Sequence, residues 1–128
     1  MSKYDLVRDD FLKALTRLEE SLALPKDDIT RDSSIQRFEF TLDLAWKTIK
    51  THLEEYRGVR CTSPKGYFRE AFQEGLIDND PFWLELVDLR NETVHTYQEA
   101  LAERVYDQLA KATEYFNRLA ERLKAALE

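Results

Sequence analysis

One cysteine, three glycines and three prolines in 128 residues are too few for several kinds of protein. A lone Cys61 cannot close an internal disulfide, so nothing points to an oxidising compartment. So little glycine and proline cannot supply the turns of a β-sandwich. No stretch approaches the roughly 18 apolar residues of a membrane span, and the opening MSKYDLVRDD lacks the apolar run of a signal peptide. The expected location is the cytoplasm, away from membranes. Positive charge is also in deficit, at 19 Lys and Arg against 25 Asp and Glu, a net −6. That argues against a broad basic surface coating nucleic acid, because such affinity comes from neutralising phosphates. A local pocket for one phosphodiester remains compatible with it. Gly-rich phosphate loops, Cys/His metal spacings and HExxH are absent as well, so neither a metal site nor a cofactor is expected on this chain.

What is present reads as helix. The length suits one domain, 1–128, and 43% hydrophobic with 34% charged residues is a helix-rich globular composition. Five helical segments follow from apolar spacing and stop signals. The first runs from Tyr4 to Leu22 with Val7, Phe11, Leu15, Leu18 and Leu22 on one face, and Pro25 with two aspartates closes it. The second starts near Ser33, where Ser33 and Gln36 fit a capping box. Its stripe is Ile35, Phe38, Leu42, Ala45, Trp46, Ile49, Leu53 and Tyr56, and it stops before Gly58. Phe40 and Leu44 lie about 200° around that helix from Phe38 and Leu42. A helix apolar on two sides needs two covers: it crosses the bundle centre, or one side meets another chain.

Ser63-Pro64 opens a short third helix with Tyr67, Phe68, Ala71 and Phe72, ending at Gly75. Asp80-Pro81 opens a fourth through Phe82, Trp83, Leu86, Val87 and Leu89 to about His95. Thr96 and Glu99 fit a second capping box, starting a last helix with Leu101, Val105, Leu109, Ala112, Phe116, Leu119, Leu123 and Leu127 on its stripe. The expectation is an all-α, up-and-down helical bundle: a four-helix core plus a short helix. Trp46 and Trp83 read as core, His52 as exposed or merely packed, and Cys61 as inert. The charges of the last helix, such as Glu103, Arg104, Lys111 and Glu121, read as a solvated face.

The segment from Leu89 to Tyr97 concentrates the chemistry. Asn91 and His95 share a helix face, whereas Arg90 and His95 stand about 140° apart and converge only if the helix ends near His95. At such an end the dipole favours the imidazolium. Arg90 can hold a phosphate in a fork, His95 can move a proton, and Tyr97 offers a hydroxyl. The plainer alternative is that these residues cap carbonyls and pair with acids such as Asp88 or Glu92.

The chain as a whole resembles the nucleotidyltransferase substrate-binding proteins. The stretch Asp32 to Lys47 is similar to that family's signature helix, and Ser63-Pro64, Glu70-Ala71-Phe72, Gly75-Leu76-Ile77-Asp78 and Trp83 follow in the family's order. Arg90 to Tyr97 matches an Arg-x4-His-x-Tyr motif. The resemblance implies a helical bundle of the HEPN group that forms a homodimer or higher homo-oligomer. It also implies a separately encoded minimal nucleotidyltransferase as partner, which would use ATP and magnesium that this chain does not. In toxin-like members of the group a two-chain cleft cuts RNA without metal, and the partner silences it by attaching AMP to the motif tyrosine. Carried over, Arg90 would stabilise phosphate, His95 would be acid and base, Asn91 would orient them, and Tyr97 would be modified. Phe40 and Leu44 then become candidates for burial against a second chain, with central burial still open. A non-catalytic substrate-binding and dimerisation subunit would use the same residues.

Overall fold

A computed structural model describes residues 1–125, all built on helices and short connections. Helix α1 (Lys3–Leu22) starts on a reciprocal cap: the Ser2 hydroxyl accepts from the Asp5 amide at 3.1 Å, and the Asp5 carboxylate accepts from the Ser2 amide at 3.2 Å. Helix α2 (Asp28–His52) continues into a single wide turn, Leu53–Arg57, which ends on Gly58 in the left-handed conformation. Helices α3 (Pro64–Gln73), α4 (Phe82–Glu92) and α5 (Glu99–Ala125) follow. Among the described residues there is no strand, and no helix is long and apolar enough to cross a membrane. The all-α bundle expected from the sequence is the fold observed; Leu127 of the α5 stripe lies outside the described residues.

The start of α2 departs from the sequence reading by more than a turn. Ser33 and Gln36 lie inside the helix, and Asp27 caps it: its carboxylate accepts from the Thr30 amide, and the Thr30 hydroxyl accepts from the Asp27 amide, both at 2.8 Å. The two aspartates that looked like a break are the cap and a favourable first-turn charge. The long helix is secured from across the bundle. Arg31 is 3% exposed and donates to Asp32 on its own helix and to Glu99 and Glu103 on α5, while Lys26 also binds Glu103. Glu103 is therefore not merely solvated. Lys111, also expected on the solvated face, sits 4.1 Å above the Phe82 ring.

Helix α2 runs through the middle and packs on α1, α3, α4 and α5. Its burial on several sides includes hydroxyls, which satisfy themselves on the preceding turn. Ser34, Thr41, Thr48 and Thr51 donate to the carbonyls of Thr30, Arg37, Leu44 and Lys47 at 2.7–2.9 Å. The core centres on Phe116, whose ring meets Phe11, Phe38 and Trp83 at 6.0–6.3 Å. Trp83 is core, as the helical spacing suggests, and stacks on Phe68; Trp46 is half-buried against Tyr67. The second apolar face of α2 divides: Leu44 packs against the core, whereas Phe40 remains 52% exposed.

Candidate functional site

The end of α4 is where the Arg-x4-His-x-Tyr residues are held. Asp80 opens this helix, its carboxylate accepting from the Phe82 amide at 2.9 Å. Phe82, Trp83, Leu86 and Val87 are buried. Arg90, in the last turn, is half-buried on the side facing α2. There Asp43 grips one edge of its guanidinium: Nε donates to Oδ1 at 3.1 Å and Nη2 to Oδ2 at 3.0 Å. Glu39, one turn earlier on α2, lies 3.8 Å from Nη1. Hydrogen bonding to Asp43 raises the pKa of Arg90 further.

Thr93 locks the junction. It is 4% exposed, accepts from Nη1 of Arg90 at 3.2 Å and donates to the Arg90 carbonyl at 2.7 Å. The chain then tightens into the 3₁₀ turn Thr93–His95. The helix proper thus ends at Glu92, slightly before the boundary read from sequence. Thr96 does not cap α5. Its hydroxyl donates to the Thr93 carbonyl at 2.7 Å, and the first turn of α5 instead bonds back to the Gln98 carbonyl. The capping-box reading failed because α5 begins at Glu99, so Gln98 rather than Thr96 holds the position before its first turn.

His95 ends that turn exposed, with its ring edge-on to Tyr97 at 6.2 Å between centroids. Tyr97 is 78% exposed. Asn91 is exposed and makes no side-chain hydrogen bond among the described residues; none joins Arg90 to His95 either. One chain therefore presents an anchored cation at the end of α4 and, on the turn and connection that follow, a reachable imidazole and phenol. The acids named in the plainer reading are not Arg90's partners: Asp88 pairs with Lys65 at 2.6 Å. Glu39 and Asp43 escaped notice because the pairing spans 47 residues; their only trace is two acids four apart on a helix otherwise rich in buried residues.

Two depressions lie elsewhere. One, of about 380 Å³, runs between α3 and the start of α4 over Phe68, Phe72 and Trp83. The other, of about 480 Å³, runs between α1 and α2, with Lys13, Arg17 and Arg37 around Phe40. Neither includes Arg90, Asn91, His95 or Tyr97. Among the described residues no three His, Cys, Asp or Glu side chains gather as a metal-holding group.

Residues 7–125 match the family described as nucleotidyltransferase substrate binding protein like. The probable ribonuclease HepT of Haemophilus influenzae is 35% identical over an alignment of 80 residues that covers 59% of this chain. The match spans 55% of that relative's length. A crystal structure from Thermus thermophilus superposes with a TM-score of 0.83 at 36% identity, covering 88% of this chain and 98% of the other. A second structure, from Haemophilus influenzae, gives 0.82 at 27% identity over 91% of this chain and 98% of the other. It is described as revealing the fold of a substrate binding domain of a nucleotidyltransferase.

Proposed function

The chain belongs to the nucleotidyltransferase substrate binding protein like family, and on that premise we propose that it is the HEPN-type partner subunit of a separately encoded minimal nucleotidyltransferase. Its activity in this reading is metal-independent cleavage of RNA in a cleft between two copies. The name of the Haemophilus influenzae relative, a probable ribonuclease, supports this, and so do the accessible His95–Tyr97 pair and the anchored Arg90 that precedes it in the motif. The exposure of Tyr97 is the observation that carries the link to a partner, because a hydroxyl that receives a group from another enzyme must reach it.

In a two-fold dimer each cleft residue occurs twice. One His95 takes the proton of a ribose 2′-hydroxyl, the oxygen attacks the adjacent phosphorus, and the bond to the 5′ oxygen breaks. The second copy of His95 protonates that leaving oxygen, giving a 2′,3′-cyclic phosphate and a 5′-hydroxyl. Arg90 offsets charge growing on the non-bridging oxygens, and Asn91 orients the phosphate. Silencing is transfer of AMP: the Tyr97 oxygen attacks the α-phosphorus of ATP held by the partner with magnesium, and pyrophosphate leaves.

A second reading is favoured by the acids around Arg90. With Asp43 bonded to it and Glu39 beside it, the guanidinium is already neutralised, which suits a non-catalytic binding and dimerisation subunit. Incubating the purified chain with RNA in EDTA separates the two. The expected result is degradation by wild type and none by His95→Ala at unchanged helicity; RNA left intact by wild type selects the binding subunit. Incubation with the partner enzyme, magnesium and ATP should add AMP mass to Tyr97. Modification elsewhere, or none, removes Tyr97 from the site.

A further inference from the structure

Arg90 has five N–H groups, and three are already directed by this chain: two to Asp43 and one to Thr93. A bidentate carboxylate fixes the plane of a guanidinium as well as its position. Asp43 does so from the central helix, whose neighbouring Leu42 and Ala45 are buried at 1% and 0% exposure. Thr93, on the turn that follows α4, accepts from Nη1 of the same group and is itself buried. With the Nε edge held inward, N–H groups of Nη1 and Nη2 remain for a ligand. The carboxylate also has an electrostatic cost for anions. Arg90, Asp43 and Glu39 together carry a net charge of −1.

We propose that Asp43 is a positioning residue for Arg90: it gives up anion affinity to hold the guanidinium's outer N–H groups at a fixed angle to the bound phosphodiester. This rests on the ribonuclease reading and deepens it. Two opposite consequences follow from one substitution. In Asp43→Asn the amide keeps one acceptor and sets an NH₂ group against a guanidinium donor, so the plane turns. Loss of the negative charge meanwhile makes the surroundings of Arg90 more attractive to phosphate. Turnover and affinity therefore move apart, which neither simple unfolding nor simple loss of a binding contact produces.

The test compares the whole chain as wild type, Asp43→Asn and Glu39→Gln with a fluorescent oligoribonucleotide and its uncleavable 2′-O-methyl counterpart. Expected for Asp43→Asn is a fall in kcat of about a hundredfold, the scale of an ångström-sized misplacement, with KM unchanged or lower and the uncleavable strand bound no more weakly. Glu39→Gln, which removes the same charge without a hydrogen bond, should tighten binding with a much smaller loss of kcat. Wild-type kcat in Asp43→Asn overturns the proposal, as does a loss of turnover that tracks loss of helicity. If wild type itself leaves RNA intact, the ribonuclease reading fails on its own account. Asp43 is then judged by the ¹⁵N resonance of Arg90 Nε–H. Slow exchange in wild type that is lost in Asp43→Asn sustains the positioning; an identical signal in both overturns it.

Discussion

Among single residues, His52, read from sequence as exposed or merely packed, is packed. It is 2% exposed, its ring lies 5.6 Å from Tyr4 and 5.4 Å from Tyr56, and Nδ1 has no hydrogen-bond partner. Arg8 sits over the Tyr4 ring, and Arg57, paired with Glu74, flanks the site from the wide turn. Burial lowers the pKa of His52 first, and Arg57 adds to it; Glu74 opposes. The neutral imidazole is therefore favoured in the folded chain, and the unfolded chain, with an ordinary value of about 6.5, takes up the proton first. Stability is complete above about pH 6.5 and declines as pH falls below it. The carboxylates held low, such as Asp5, Asp27 and Asp80, act only in more acid solution. Urea midpoints should thus drop between pH 7.5 and 5, and His52→Leu should flatten that drop; an unchanged slope would refute the assignment.

At the level of the element, the end of α2 is set by one backbone conformation. Gly58 has φ +67°, and the Val59 amide reaches back to the Leu53 carbonyl at 3.0 Å to close the wide turn. A Cβ at Gly58 would meet nothing within 4 Å, so a substitution there reports backbone strain alone. Gly58→Ala should cost about 1 kcal/mol, the penalty of a left-handed L-residue, read as a shift in the urea midpoint at constant m-value. A neutral result would mean that the turn rearranges. The other end of α2 depends on Arg31, which reaches Glu99 and Glu103 just after the His95–Tyr97 segment. The start of the central helix is thereby tied to the start of the helix that follows the motif.

For the whole molecule, α2 joins two features that look separate in the chain. Phe40 is exposed on it, and Glu39 and Asp43, which face Arg90, lie about 100° around the same helix from Phe40 and Leu44. In the proposed two-chain reading, Phe40 is the candidate for cover by a second copy. Phe40→Glu should then shift the chain to monomer in sedimentation velocity, with helicity retained and RNA cleavage lost. A stable Phe40→Glu dimer would move the interface elsewhere.

Apolar spacing and breaker residues determined the helix number, the all-α class and the core positions from Phe11 to Phe116, because burial of a stripe is a local, periodic demand on the chain. The motif from Arg90 to Tyr97 was legible for the same reason: it is contiguous. Competing caps were not legible, since Asp27 and Ser33 offer similar chemistry and only the surrounding packing selects between them. The anchoring of Arg90 by Asp43, the burial of His52 and the exposure of Phe40 were decided by the tertiary structure alone. Each depends on which helix faces which, and a guanidinium carries no mark in sequence of a carboxylate 47 residues away.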